Sequence, residues 1–366
     1  MRSSTLTRAL AGAVAGVIVS IVVVVIVGAF HRAPTPPRLV PETASGALRR
    51  IAIHYVPAQD AQALPVWKQL FRALPPSVTV SVAVEREADF ALFLSHMRAA
   101  GATIDRFESA IVGKPITTWS RDRMAALEGP AGILAPPRVT TSSGRRAGDW
   151  DAPFALARSV YGASPRIAPL VFEGGDLAAS PTHVFADANL IGRNIARGDA
   201  TRAHLEAALS HTFSQKVIWL GDHPGEVPEH HIMMYMVPLD ARRVLVGNPR
   251  LGAELAPEVD ADGAFADHVT RFDRVAQLLA AQGFEVTRIP VVVLPGAGSY
   301  VTYTNALFDR DARGPVVYLP TYGIPELDDV ASSLYESLGY RVVEIDVSTI
   351  YRLNGSLGCL VNVMAR

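Results

Sequence analysis

The sequence predicts an α/β fold, and two observations support this prediction. Amphipathic helices are followed by short apolar strands, and these units recur at roughly 50 to 70 residues, which is typical of stacked α/β modules. Of the 366 residues, 49% are hydrophobic and 19% are charged, which is enough apolar side chain for a large core. Cys359 is the only cysteine, so no disulfide can form within the chain. The modules could surround a centre or lie along one sheet.

The first units begin near residue 51. Short apolar strands are predicted at Ile51–Tyr55 and Val78–Val84. Between them, Pro65–Leu74 places its large apolar side chains on one helical stripe. The next helix is predicted at Asp89–Ala100 with Asp89 as its N-cap, because a side-chain carboxylate can accept from the first backbone amides.

Later units repeat the order of helix and then strand. Gly283 and Gly339 end two of the helices, since glycine readily adopts the left-handed conformation that follows a helix. A further apolar strand, Ile232–Val237, follows two histidines. The predicted helices and their strands are Ala200–Phe213 with Val217–Leu220, Phe265–Gln282 with Glu285–Ile289, and Glu326–Leu338 with Arg341–Ile345.

The N-terminal segment Ala9–Phe30 contains no charged residue and predicts a transmembrane helix. About 20 apolar residues at ~1.5 Å each cross a hydrocarbon core of ~30 Å. Arg2 and Arg8 precede the segment and favour an N-terminus on the cytoplasmic side. The alternative is a cleaved signal peptide, because Val27-Gly28-Ala29 has the small residues of a cleavage site.

These features predict three regions: a cytoplasmic tip and membrane anchor at 1–30, a proline-rich linker at 31–48, and an α/β domain at 49–366. The expected localisation is a single-pass membrane protein with its C-terminal domain outside the cytoplasm, or a secreted domain if the segment is cleaved. The formal net charge of -1 argues against nucleic acid as a partner, because phosphate binding requires a basic face. The sequence does not predict an oligomeric state.

Several side chains could carry chemistry. Cys359 is a candidate nucleophile and His231 a candidate base, with Glu173 or Asp122 orienting the base, because a thiol nucleophile needs a base and a third group that positions it. The residues alone leave other interpretations open. Cys359 could be a buried core residue, and Asp122 could form an ion pair with its neighbour Arg121.

Five motifs in order are more specific than any single residue. They are Trp119-Ser120-Arg121-Asp122, Phe172-Glu173-Gly174-Gly175-Asp176, His230-His231-Ile232, Tyr303-Thr304-Asn305 and Gly355-Ser356-Leu357-Gly358-Cys359. Together they resemble the agmatine deiminase and bacterial peptidylarginine deiminase family, whose motifs run W-x-R-D, E-G-G, G-H-x-D, a Y-x-N-type strand, and a glycine-rich turn that ends in cysteine. The resemblance covers roughly residues 51–366.

This resemblance implies a five-bladed α/β propeller, or pentein, built of ββαβ modules. It also implies a hydrolase in which the Cys359 thiolate attacks a guanidino carbon, releases ammonia and leaves a ureido product, without metal or cofactor. Asp122 would hold the guanidinium, and Glu173 would orient His231 or share the cation. His231 would protonate the departing ammonia and then deprotonate water. Trp119, Arg121, Asp176 and Asn305 are the further residues expected to bind substrate.

Two positions depart from the family pattern. Met233 replaces the acid of G-H-x-D, and Gly358 stands where many members have histidine. If residues 232–237 form a strand, Met233 lies on the His231 face, where a second carboxylate would hold the cation.

Three interpretations follow. Glu229 or Asp176 could supply the missing charge, or Met233 could form an apolar wall for a less basic amidine. Alternatively, the domain could have lost turnover and bind partners as a scaffold, with Arg121, Asp122 and Glu173 as a buried ion network. The expected partner is a small guanidine, such as agmatine or arginine, or a peptidyl-arginine. Finally, residues 138–151 predict a surface loop that could cover the site.

Overall fold

Seventeen strands and nine helices make up the part of the chain that the computed structural model describes, namely residues 35–139, 146–195, 201–259, 265–294 and 299–366. The strands, in chain order, are β1 Arg50–His54, β2 Thr79–Val84, β3 Phe107–Ile111, β4 Ala125–Ala126, β5 Ile133–Ala135, β6 Arg166–Ile167, β7 Leu177–Ala179, β8 His183–Asp187, β9 Lys216–Leu220, β10 Met236–Pro238, β11 Arg243–Asn248, β12 Glu285–Val293, β13 Tyr300–Thr302, β14 Leu307–Asp311, β15 Gly314–Thr321, β16 Arg341–Asp346 and β17 Val361–Ala365. The helices are α1 Asp60–Ala73, α2 Glu87–Ala99, α3 Ala152–Tyr161, α4 Asn189–Asn194, α5 Arg202–Thr212, α6 Pro249–Leu255, α7 Phe265–Ala281, α8 Pro325–Ser337 and α9 Leu357–Leu360.

Within the described residues the strands form five mixed sheets, and each sheet follows the same connection rule. An antiparallel pair is joined to a parallel strand through at least one helix, as in β14 and β15 followed by α8 and β16. The other sheets are β4-β5-β6, β7-β8-β9, β10-β11-β12-β13 and β17-β1-β2-β3. This confirms the predicted α/β class and the ββαβ module.

The first and last strands share one sheet. β17 pairs antiparallel with β1, so that Ile51 faces Val363 and Ile53 faces Val361. Because Cys359 lies just before β17, this pairing brings the end of the chain next to its first module. β1 and β2 are buried on both faces, and their apolar sequences are typical of such strands.

Two predicted helix starts differ from the structure. α1 begins at Asp60, five residues before the predicted start, and Pro65 lies inside it. α2 begins at Glu87, and Asp89 is not its N-cap but occupies the third helical position. From there the Asp89 carboxylate accepts a hydrogen bond from the backbone N–H of Arg86 at 3.1 Å. Asp89 therefore still caps the start of the helix, but it does so from inside the first turn, by accepting from the amide that precedes the helix.

The structure corrects the predicted linker. The segment predicted as a spacer at 31–48 packs within the domain from Leu39 onward: Leu39, Val40 and Leu48 are buried. Residues Pro37–Arg366 form one compact unit, which begins earlier than the predicted boundary at 49. Leu39 and Val40, which lie between Pro37 and Pro41, explain the difference, because apolar side chains can enter the core whereas a polar spacer stays in solvent.

The predicted membrane localisation is also corrected. Across the residues that the structure describes, no helix is both long and apolar enough to cross a bilayer. The segment Ala9–Phe30, on which the prediction rested, lies outside those residues.

Candidate active site

One cavity brings together the four side chains that the sequence nominated for catalysis. Asp122 lies in the loop after β3, while Glu173 and His231 each directly precede a short 3-10 turn. Cys359 lies in the single turn of α9. The cavity has a volume of about 300 Å³, and its lining residues are Trp119, Asp122, Arg146, Glu173, Arg193, His230, His231, Leu353, Asn354 and Cys359.

Cys359 is buried and is held in place by Asn305. The backbone N–H of Cys359 donates to Oδ1 of Asn305 at 3.2 Å, and Nδ2 of Asn305 lies 3.4 Å from Sγ. The thioether of Met234 lies 4.0 Å from the same sulfur. Asn305 therefore fixes both the backbone and the sulfur of the candidate nucleophile, although it does not line the cavity.

Steric constraints explain why residue 358 is a glycine. A Cβ at this position would lie 2.8 Å from Oδ1 of Asn305 and 3.4 Å from Cε of Met233. Real Cβ atoms rarely approach oxygen so closely, so a histidine here would displace Asn305. Gly358, one of the two positions that depart from the family pattern, thus leaves room in this chain for the contact between Asn305 and Cys359.

His231 is held between a carboxylate and the thiol. Its Nε2 lies 3.0 Å from Oε2 of Glu173, and its buried Nδ1 has no hydrogen-bond partner among the described residues. Burial opposes charge on the ring, but Cys359, Glu173 and Asp122 together raise the pKa of His231 well above its usual value. The ring also requires Gly175, since a Cβ there would lie 2.2 Å from Cγ of His231.

Glu173 accepts from two arginines besides His231. Nη1 of Arg123 donates to it at 2.7 Å and Nη2 of Arg193 at 2.8 Å. Burial would raise its pKa, but His231 and the two guanidinium groups hold the pKa of Glu173 well below the usual range. Glu173 is therefore an ionised, fully engaged carboxylate that orients the His231 ring.

Asp122 is paired with an arginine of the chain itself. Nη2 of Arg146 donates to Oδ2 of Asp122, and Nε of Arg146 donates to Oδ2 of Asp149 at 3.2 Å. Burial, with Glu173 nearby, raises the pKa of Asp122 even though His231 and Arg146 oppose the shift. The residue expected to hold a substrate guanidinium thus already holds a guanidinium.

The predicted substrate-binding residues fall in different places. Trp119 lines the cavity, and Gly355 packs against its ring, where a Cβ would lie 2.4 Å away. Arg121 points elsewhere and pairs with Glu42 while donating to the carbonyl of Leu177 at 3.1 Å. Arg121 does not line the cavity, and its contact with substrate stays a prediction.

Asp176 lies behind Glu173 and does not line the cavity. It is fully buried, accepts from the backbone N–H of Glu173 at 2.7 Å, and pairs with Nε of Arg193 at 2.7 Å. These contacts use its charge for positioning Glu173 and Arg193. Direct contact between Asp176 and a substrate stays a prediction.

The expected strand at 232–237 is only partly formed. Ile232–Met234 is a 3-10 turn, and strand β10 begins at Met236. The alternation that placed Met233 on the His231 face therefore does not hold. Met233 is buried outside the cavity lining, and its carbonyl accepts from Thr304 at 2.8 Å. Glu229 is largely exposed and pairs with Arg271 at 3.3 Å, so it does not supply the missing charge.

Sequence reasoning missed five residues of the cavity: Arg146, Arg193, His230, Leu353 and Asn354. One of them, His230, carried a signal in the sequence. His230 (φ 81°) and Asn354 (φ 65°) are the non-glycine residues of the described chain with positive φ, and His230 occupies the glycine position of the G-H-x-D pattern. Strain of this kind persists where surrounding structure enforces it, often at functional sites.

The loop predicted at 138–151 is also more ordered than expected near its end. Gly148–Trp150 forms a 3-10 turn whose residues are buried, and Asp149 accepts from Thr117 N–H at 2.7 Å. Residues 140–145 lie outside the described part of the chain.

Comparisons with known proteins give one family and one fold. The family model described as Porphyromonas-type peptidyl-arginine deiminase matches residues 54–364. Among solved structures, the agmatine deiminase of C. jejuni is 17% identical with a TM-score of 0.64, over 89% of this chain and 95% of that one. A substrate-bound variant of that enzyme is 16% identical with a TM-score of 0.62, over the same shares of both chains. At such identity these structures show the fold alone. A search of curated proteins gave no match.

Proposed function

Because the chain belongs to the Porphyromonas-type peptidyl-arginine deiminase family, we propose that it hydrolyses a guanidino or amidino group through Cys359, releasing ammonia and leaving a ureido product. The observation that carries the proposal is the order Glu173, His231, Cys359 beside Asp122 in one cavity. A nucleophile, a general acid and base, and the group that orients it are the parts that such chemistry requires.

The first half-reaction needs a thiolate beside a positively charged imidazole. Burial opposes charge on His231, but Cys359 and Glu173 raise its pKa well above the usual value, so the charged ring is the proton donor of this step. The thiolate adds to the guanidino carbon, and His231 gives its proton to one nitrogen, which leaves as ammonia. The product of this step is an amidine carbon bonded to Sγ of Cys359.

The second half-reaction uses the same residues in reverse. His231, now neutral, takes a proton from water, and the hydroxide adds to the amidine carbon. The C–S bond then breaks, which regenerates the thiolate and leaves a ureido group. Nδ1 of His231 is the atom available for both transfers, because Nε2 is occupied by Glu173. None of these steps requires a metal or cofactor.

The substrate shares the guanidino group of agmatine, arginine and peptidyl-arginine. What distinguishes these three compounds lies beyond that group, and Trp119, Leu353 and His230 are the lining residues proposed to contact it. Agmatine, arginine and peptidyl-arginine therefore form the panel of compounds on which activity is to be tested.

Thiol labelling tests the proposal without requiring the true substrate. We expect Cys359 to react faster with chloroacetamidine, a cationic amidine, than with neutral iodoacetamide, because the cation can exchange with Arg146 on Asp122, whereas the neutral reagent cannot. Intact mass and peptide mapping identify the site, and Cys359→Ala is the control. A rate that favours iodoacetamide, or no reaction with either reagent, would argue for a buried structural thiol and against the enzyme.

A further inference from the structure

Arg146 binds Asp122, the carboxylate on which a substrate guanidinium would be expected to bind. Its guanidinium bridges two acids, with Nη2 on Oδ2 of Asp122 and Nε on Oδ2 of Asp149. Asp149 is fully buried and is fixed by Thr117, whose N–H and hydroxyl donate to it at 2.7 and 2.8 Å. Arg146 is therefore held in place from both sides.

A charge count of the cavity shows why this contact matters. Its two carboxylates are Asp122 and Glu173, and Glu173 is already shared among Arg123, Arg193 and His231. Met233 offers no carboxylate where the family pattern has one. Among the described residues of the cavity, a cationic substrate therefore finds no unpaired carboxylate, and it must displace one of the arginines that hold them.

Arg146 is the arginine that can be displaced most easily. Its side chain is 41% exposed, whereas those of Arg123 and Arg193 are 13% and 32% exposed. Arg123 additionally stacks over the ring of Trp150 at 4.6 Å, and Arg193 is anchored on the fully buried Asp176. Exchange of one guanidinium for another on Asp122 preserves the charge-assisted hydrogen bonds.

Resting on the function proposed above, we propose that Arg146 is a specificity-determining residue that competes with the substrate guanidinium for Asp122. Because Arg146 is tethered, its effective concentration at Asp122 is on the order of millimolar or higher. A simple guanidine at lower concentration does not displace it. Substrates that bind well must therefore gain affinity from groups beyond the guanidinium, or must carry a less basic amidine that does not need Asp122.

The test measures binding in the Cys359→Ala background, so that it does not depend on turnover. Isothermal titration compares N-methylguanidine, a cation, with N-methylurea, its neutral analogue. With Arg146→Gln we expect the Kd of N-methylguanidine to fall about tenfold or more, since the tethered competitor is gone, and the Kd of N-methylurea to stay within twofold.

Arg138→Gln is the matched control. Arg138 also pairs with an aspartate, Asp151, but it lies outside the cavity lining, so its replacement should change neither Kd. Arg146→Lys is a second variant, with which the inference can still be tested if Arg146→Gln does not fold. It keeps the charge but loses the planar fork, and we expect a smaller gain in N-methylguanidine affinity.

An unchanged or higher Kd for N-methylguanidine in both Arg146 variants would overturn the inference. The two proposals can fail separately. Turnover that depends on Cys359 with no effect of Arg146 on binding would refute the competition and leave the hydrolase standing. Tighter cation binding in the Arg146 variants, without any reactivity of Cys359, would refute the hydrolase and leave the competition for Asp122 standing.

Discussion

Nε2 of His231 lies 3.0 Å from Oε2 of Glu173, a residue 58 positions earlier in the chain. The same carboxylate accepts from Arg123 and Arg193, so it cannot turn away from the ring. In the mechanism proposed above, this contact leaves Nδ1 of His231 as the atom for proton transfer at Cys359 and the substrate. Glu173 thereby acts through His231 as a positioning residue.

Replacing this carboxylate should impair turnover more than binding. For Glu173→Gln we expect kcat to fall about 100-fold or more, because misoriented general acid–base groups lose most of their contribution, with a smaller change in KM. Steady-state ammonia release measures both constants. Glu42→Gln is the matched control, since Glu42 is also a buried glutamate paired with an arginine but lies outside the active-site cavity. Equal losses in both variants would indicate a purely structural role for Glu173.

His231 should make stability depend on pH in a defined direction. Its pKa is raised in the folded protein, so its charge contributes stability that is fully present below the unfolded value of about 6.5. That contribution is lost as the pH rises through the raised folded pKa. The difference in free energy of unfolding between wild type and His231→Gln should therefore be larger at pH 6 than at pH 9 in urea denaturation. A difference that grows with pH would contradict the protonated imidazole.

His230→Gly should stabilise the protein. His230 has φ 81°, and a left-handed conformation costs a non-glycine residue roughly 1–2 kcal/mol. Contacts of the ring, which lies 4.9 Å from that of His231, are lost in exchange, so we expect a net gain of about 1 kcal/mol. The urea midpoint should rise with an unchanged slope. Asn354→Gly should gain less, because asparagine tolerates this conformation better. A lower midpoint for His230→Gly would show that the ring contacts outweigh the strain.

Asn305→Ala should slow reactions at Cys359 specifically. It removes the side chain that accepts from the Cys359 N–H at 3.2 Å and approaches Sγ at 3.4 Å. We expect alkylation by chloroacetamidine and ammonia release to fall together, by about tenfold or more, as for one charge-assisted hydrogen bond of ~1.5–3 kcal/mol. Asn362→Ala is the control, since Asn362 is also buried but donates to the carbonyl of Met124. The same loss in both variants would trace the effect to general destabilisation.

Much of the fold was predictable because it depends on local patterns. Apolar runs such as Val78–Val84 and stripes such as that of Pro65–Leu74 correspond to β2 and α1, with their ends displaced by a few residues. The motifs of the site were also visible, since Asp122, Glu173, His231 and Cys359 each lie in a distinctive short pattern.

The remainder depends on distant contacts that no local pattern specifies. Ile232–Met234 is as apolar as a strand, yet it forms a 3-10 turn, so the predicted alternation from His231 to Met233 was wrong. Arg146 pairs across the cavity with Asp122, 24 residues away, and an arginine in a loop gives no sign of its partner. The burial of Leu39 and Val40 likewise depends on the folded domain.

Product analysis tests the central claim most directly. Purified protein is incubated with agmatine, arginine and a peptidyl-arginine, and ammonia and the ureido product are quantified together. We predict that at least one guanidine yields the two products in equal amounts, and that Cys359→Ala abolishes both while remaining folded. Absence of ureido product from every guanidine of the panel, or product formation that persists in Cys359→Ala, would contradict a Cys359-dependent deiminase.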